Sequence, residues 1–117
     1  MVKGEGLYET VIRSHKALCK AKNMGVKDAF GHDKAIFYGL ALCGECGELA
    51  NSLIKVLRLG GNFKEKKIAV ASELADVIIY ALVLAYVMDI NIHQLVKEKC
   101  DVVIQRAEDG YYGEPFK

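Results

Sequence analysis

The chain has one proline in 117 residues, Pro115, so nothing from Met1 to Glu114 is forced by a pyrrolidine ring to break a helix. Glycine supplies the punctuation instead. Gly25, Gly60-Gly61 and Gly110 divide the sequence into four stretches of helical character, at about residues 5–24, 33–59, 62–88 and 91–108. Leu7, Val11, Ile12 and Leu18 set a loose helical period in the first. Asn62 and Asn91 are placed to cap the third and fourth. The Val- and Ile-rich piece 77–87 competes as a strand, but its length and its freedom from Gly and Pro favour helix. The expected fold is an all-α four-helix bundle forming one domain over residues 1–117, with residues 109–117 as a tail.

The remaining composition narrows what such a bundle does. A 52% apolar content and a mean hydropathy of +0.14 are high for a chain of this size, which predicts one core and an added subunit interface. Sixteen Lys and Arg against fifteen Asp and Glu leave a net charge of +1. That balance excludes the broad basic field of a non-specific nucleic-acid binder, and the apolar fraction excludes disorder. The longest apolar stretch, residues 68–88, holds Glu73 and Asp76, and its charge-free part, Val77 to Met88, is too short to span a bilayer. It reads as a buried helix that contributes to a homo-oligomer, most simply a two-fold one. Met1–Gly6 shows no secretory pattern, so a cytoplasmic location is expected, with Cys19, Cys43, Cys46 and Cys100 as free, buried thiols.

The chemistry lies in two acidic pairs. Glu45 and Glu48 in the second helix, and Glu73 and Asp76 in the third, are each spaced i, i+3, so each pair projects from one side of its helix. Tyr38, Ala41, Ser52 and Lys55 share the first face; Ala69 and Tyr80 share the second. An antiparallel hairpin through Gly60-Gly61 sets the two pairs level. Four carboxylates meeting in a partly dry site repel, and protonation, cations or a divalent metal must compensate. An oxygen-only donor set suits Mg²⁺ or Mn²⁺. His15, His32 and His93 all fall outside the Glu-x-x-His elements that a di-iron carboxylate bundle requires.

Glu45 with Gly47-Glu48-Leu49-Ala50, followed by Glu73-Leu74-Ala75-Asp76-Val77-Ile78-Ile79-Tyr80, resembles the Glu-x-x-Glu…Glu-x-x-Asp signature of the MazG-like, all-α nucleoside triphosphate pyrophosphohydrolases over residues 33–106. The resemblance implies a dimeric or tetrameric helical bundle that uses Mg²⁺ to cleave an NTP or dNTP to the monophosphate and pyrophosphate. It makes Glu45, Glu48, Glu73 and Asp76 the metal-binding acids, with a second-helix glutamate, Glu45 or Glu48, also accepting a proton from water. Family members often carry Lys then Asn four residues later on the last helix; Lys99 matches, and Val103 occupies the Asn position. Lys55, Lys99 and Arg106 are candidate phosphate cations. A related phosphoribosyl-ATP pyrophosphohydrolase is the alternative within the class, and a non-catalytic nucleotide- or metal-binding oligomer the alternative outside it.

Tyr38 precedes Glu45 by seven residues and Tyr80 follows Glu73 by seven, so an antiparallel pair brings both to one end of the acids, roughly 10 Å along the axis. Both are candidate base-binding rings, with Phe37, Phe30 and His32 as helpers. Core packing is the competing role for both tyrosines. The Cys43-Gly44-Glu45-Cys46 motif lies in mid-helix, which disfavours redox chemistry, and its cysteines are expected as small packing residues beside the acids.

Overall fold

A computed structural model describes residues 4–22, 31–59 and 63–113. They form four α-helices and, among the described residues, no strand: α1 (Leu7–Ala21), α2 (Gly31–Leu59), α3 (Phe63–Val87) and α4 (Ile92–Glu108). The all-α reading holds, with the ends at Leu59 and Glu108 as expected and the others shifted by one to three residues. Expected boundaries at Gly25, Gly60-Gly61 and the Asn62 cap lie outside the described residues.

Local chemistry explains the ends that are seen. Gly6 at the start of α1 offers no side-chain cap. Glu5 clamps the first turns instead, accepting from Thr10 Oγ1 at 2.8 Å and from Arg13 Nε at 2.9 Å. Asp89, with φ of 56°, stops α3: its N–H donates to Tyr86 O, and the Ile90 N–H donates to Ala85 O. This pair of bonds is a Schellman closure, made with an aspartate where glycine is commoner. Asn91 then caps α4 as expected, its Oδ1 accepting from the Gln94 N–H at 3.2 Å.

Packing centres on an α2–α3 hairpin with α1 laid across the far end of α3. Val11 and Ile12 of α1, Tyr38 of α2, and Val83 and Val87 of α3 form the core, with Tyr80, Leu84 and Tyr86 packed against it. The buried stripe of α1 is Val11, Ile12, His15 and Cys19, whereas Leu7 and Leu18 are exposed. Those two leucines lie roughly 80° off the centre of the buried face, so the loose period chosen from sequence was rotated.

α4 stands apart. It has no buried residue and lies along none of the other helices. Toward its start, Ile92, His93, Val96 and Lys97 line a groove of about 650 Å³ with Leu7, Tyr8 and Leu82. The radius of gyration is accordingly 18.1 Å, against roughly 13 Å for a compact chain of this length. Lys66–Val87 is long and apolar enough to cross a membrane by length and composition alone. Within the fold it carries two acids of the carboxylate cluster and packs against α1 and α2, but it is not the buried helix expected: among its described residues only Val83, Ala85 and Val87 are buried, because α1 and α2 cover only part of its surface within one copy.

Candidate metal and nucleotide site

The hairpin does what the spacing of the acids requires. Glu45 of α2 and Glu73 and Asp76 of α3 each offer a carboxylate oxygen, and the three oxygens lie within 4.8 Å of one another. All three residues are half-buried. Glu45 Oε2 and Glu73 Oε2 are shut off from solvent and have no hydrogen-bonding partner. Orphaned carboxylate oxygens are uncommon in folded proteins and call for an explanation such as an ion.

Glu48 is more exposed and stands outside the close trio, yet it belongs to the same electrostatic unit. The Glu45 carboxyl is pushed above its ordinary range, first by desolvation and then by the charges of Glu48, Asp76 and Glu73. Glu73 is raised likewise, first by desolvation and then by the charges of Glu48 and Asp76. A divalent cation relieves both causes, since it replaces lost hydration and cancels repulsion. The donors are all oxygen, as hard ions such as Mg²⁺ and Mn²⁺ require.

The tyrosines also meet as their offsets predict. Tyr38 and Tyr80 have ring centroids 6.4 Å apart with planes inclined by 39°. Their surroundings differ. Tyr38 is buried in the core, with the edge of His15 at 5.5 Å and Phe37 at 5.1 Å, and its hydroxyl is pushed up chiefly by burial. Tyr80 is only partly buried. Burial at Tyr38 therefore favours packing over ligand contact, while Tyr80 remains open enough for both. Phe30 and the His32 side chain lie outside the described parts of the chain.

The cations are divided between two places. Lys55 lines a small hollow on α2 with Asn51, Ile54 and Arg58. It lies on the Glu48 side of that helix, one seven-residue step toward the turn. Sequence reasoning missed its counterpart, half-buried Lys66, which precedes Glu73 by seven residues and so shares the Glu73 face. The signal was the same i, i+7 offset that located Tyr80. Lys99 and Arg106 line a separate hollow on α4 with Glu98, Val102 and Val103, and the structure does not bring them to the acids within one chain. Arg106 also sits 5.0 Å from the Tyr111 ring centroid.

The cysteines correct another expectation. All four are free, but only Cys19 is buried, at 3.6 Å from His15 Nε2; Cys43, Cys46 and Cys100 are exposed. Cys43 and Cys46 lie on the side of α2 away from Glu48, so they do not pack beside the acids.

No curated protein and no solved structure matches the chain at a significant level. A family model does match, that of the MazG nucleotide pyrophosphohydrolase domain, over residues 36–111. The match takes in α3, α4, nearly all of α2, both acidic pairs and both tyrosines. Spanning well over half the sequence, it establishes that the chain belongs to the MazG nucleotide pyrophosphohydrolase domain family.

Proposed function

We propose that the protein is a Mg²⁺-dependent hydrolase, active in the cytosol, that cleaves an NTP or dNTP between the α- and β-phosphates. Family membership supports pyrophosphohydrolysis in general. The observation that carries the more specific reading is the trio Glu45, Glu73 and Asp76, with two solvent-shielded carboxylate oxygens that have no partner.

In this reading Glu45, Glu73 and Asp76 hold Mg²⁺, or Mn²⁺ in its place. Bound there, the ion supplies charge neutralisation for a polyphosphate and a more acidic bound water. Glu48, outside the trio, accepts the proton of the attacking water. The water oxygen bonds to the α-phosphorus, the bond from that phosphorus to the bridging oxygen breaks, and pyrophosphate leaves. Lys55 and Lys66 place positive charge toward the turn end of the hairpin, suited to phosphate oxygens. Tyr80, with Tyr38 behind it, bounds the opposite end, roughly 10 Å away, where the base would lie. Lys99 and Arg106 enter this reading only as cations delivered by α4 of a neighbouring copy. Self-association as a homodimer or homotetramer is supported by the apolar surface that α2, α3 and α4 leave uncovered.

The test is pyrophosphate release from a full NTP and dNTP panel and from phosphoribosyl-ATP, with Mg²⁺ or Mn²⁺, for wild type and Glu48→Gln. Turnover of one or more triphosphates that Glu48→Gln removes is the expected result. Turnover that survives Glu48→Gln overturns the assignment of Glu48, and metal binding without turnover of any substrate makes the protein a binding module.

A further inference from the structure

The two tyrosines of the hairpin lean on a residue of α1, a helix outside the residues that match the family. His15 is the one polar side chain buried in the core among the described residues, at 5% exposed. On α1 it stands in the buried stripe with Val11, Ile12 and Cys19. Burying an imidazole costs desolvation that a leucine would not, so its presence there calls for a role beyond filling space. Its neighbours supply one. The His15 ring meets Tyr38 of α2 at 5.5 Å and Tyr86 of α3 at 6.1 Å, inclined by 82° and 73°. Both are edge-to-face contacts, an arrangement that aromatic quadrupoles favour.

The contacts form a series that runs outward from the core. Cys19 Sγ lies 3.6 Å from His15 Nε2 and 3.8 Å from Nδ1, near-equal distances that set the sulfur against the ring as a packing surface. Tyr38 has His15 against it from α1 and Tyr80 against it from α3, the latter with centroids 6.4 Å apart. Tyr80 ends the series on the Glu73 face of α3, two turns from that acid. Exposure rises along the way, from 1% at Cys19 through 5% at His15 and 8% at Tyr38 to the half-buried Tyr80. A half-exposed tyrosine keeps rotamer freedom unless something stands behind it. Behind Tyr80 stands Tyr38, and behind Tyr38 stands His15. Val11 and Ile12 add volume to the same core, but a flat ring met edge-on sets an angle as well as a distance, which aliphatic groups do not.

We propose that His15 is a positioning residue for the nucleobase: through Tyr38 it fixes the tilt of Tyr80, and so the plane against which the base of the nucleotide stacks. The proposal rests on the reading of Tyr80 as a base-binding ring given above and adds what orients that ring. Its effect is confined to the base, because Tyr80 stands roughly 10 Å along α3 from the acids that take the phosphates. Base affinity then depends on a helix that the family match does not include.

The experiment measures binding by titration calorimetry, in Mg²⁺, of α,β-methylene nucleoside triphosphates, which resist cleavage, and of inorganic tripolyphosphate, which has no base. His15→Ala and His15→Leu are expected to weaken the best-bound nucleotide by about three- to tenfold, the equivalent of one lost ring contact, and to leave tripolyphosphate within about twofold. His15→Phe keeps a flat ring and should bind the nucleotide within about twofold of wild type. Tyr80→Ala should lose at least as much as His15→Ala. If Tyr80→Ala weakens nucleotide binding and neither His15→Ala nor His15→Leu does, the role of His15 is overturned and the reading of Tyr80 stands. If Tyr80→Ala changes nothing, the base-binding reading falls and this inference with it. Equal weakening of nucleotide and tripolyphosphate by the His15 variants means a loosened core and overturns positioning, as does a His15→Phe protein that binds no better than His15→Leu. Should His15→Ala fail to fold by circular dichroism, His15→Leu fills the site and carries the comparison.

Discussion

The α2–α3 hairpin and α4 are both long helices, yet they are held by different forces. α4 is stabilised within itself: Asn91 caps it, Gln94 Nε2 donates to Glu98 Oε1 at 2.9 Å, and Lys97 Nζ reaches Asp101 Oδ2 at 2.7 Å. Every one of these pairs is three or four residues apart and exposed to water, so each contributes little. The order of the hairpin comes from burial around Tyr38, Val83 and Val87, with Val11 and Ile12 of α1 packed against them. The region that carries chemistry is thus fixed by long-range packing, which lets it hold carboxylates in a repulsive arrangement that an isolated helix would not maintain.

That contrast is testable from its strongest consequence downward. Glu48→Gln removes a proton acceptor from the hairpin and is expected to lower pyrophosphate release by about 10²–10³-fold, measured at saturating Mg²⁺. Unchanged turnover would mean that the hairpin acids are scaffold, as the α4 charges are.

Ile12→Ala opens a cavity where α1 meets the hairpin and should cost about 2–4 kcal/mol in urea unfolding. A loss under about 1 kcal/mol would show that α1 is not what orders the site.

The pH dependence follows from the raised carboxyls of Glu45 and Glu73. Between the ordinary carboxylate value and the raised one, the folded chain binds more protons than the unfolded chain. Stability of the metal-free protein therefore falls as pH rises through that window. Thermal melts should show a higher Tm on its acid side, and Mg²⁺ should restore the Tm at neutral pH. Glu45→Gln should flatten the profile; a profile unchanged by that variant would dissociate Glu45 from the effect.

Smaller effects belong to α4. Asn91→Ala should cost about 1 kcal/mol by leaving the Gln94 N–H without its cap. Lys97→Ala should change stability by less than about 0.5 kcal/mol. A larger loss at Lys97 would reveal that α4 is engaged by something beyond its own turns.

Much of this architecture was legible from particular residues. Proline scarcity and glycine spacing gave four helices, and Asn91 gave one true cap. The i, i+3 acids and the symmetric offsets of Tyr38 and Tyr80 anticipated which groups would meet, because hairpin geometry converts equal offsets into equal heights. Other features were not legible. His15 and Cys19 complete the buried stripe of α1, but polar or small residues carry a weak hydrophobic signal, and Leu7 and Leu18 pulled the expected face aside. Lys66 was overlooked because it stands among Lys64, Glu65 and Lys67, where charge alone does not mark the residue that faces inward.

By itself, the sequence determined the elements and the pairs: helix length follows from local backbone constraints, and side-chain periodicity follows from the 3.6-residue turn. Only the tertiary structure decided which carboxylates converge closely, that Glu48 stays outside the trio, that Tyr38 is core while Tyr80 is half open, and that α4 leaves the other three helices. The reason is physical. Local rules state which face a residue occupies, but burial and desolvation depend on what another segment brings against that face.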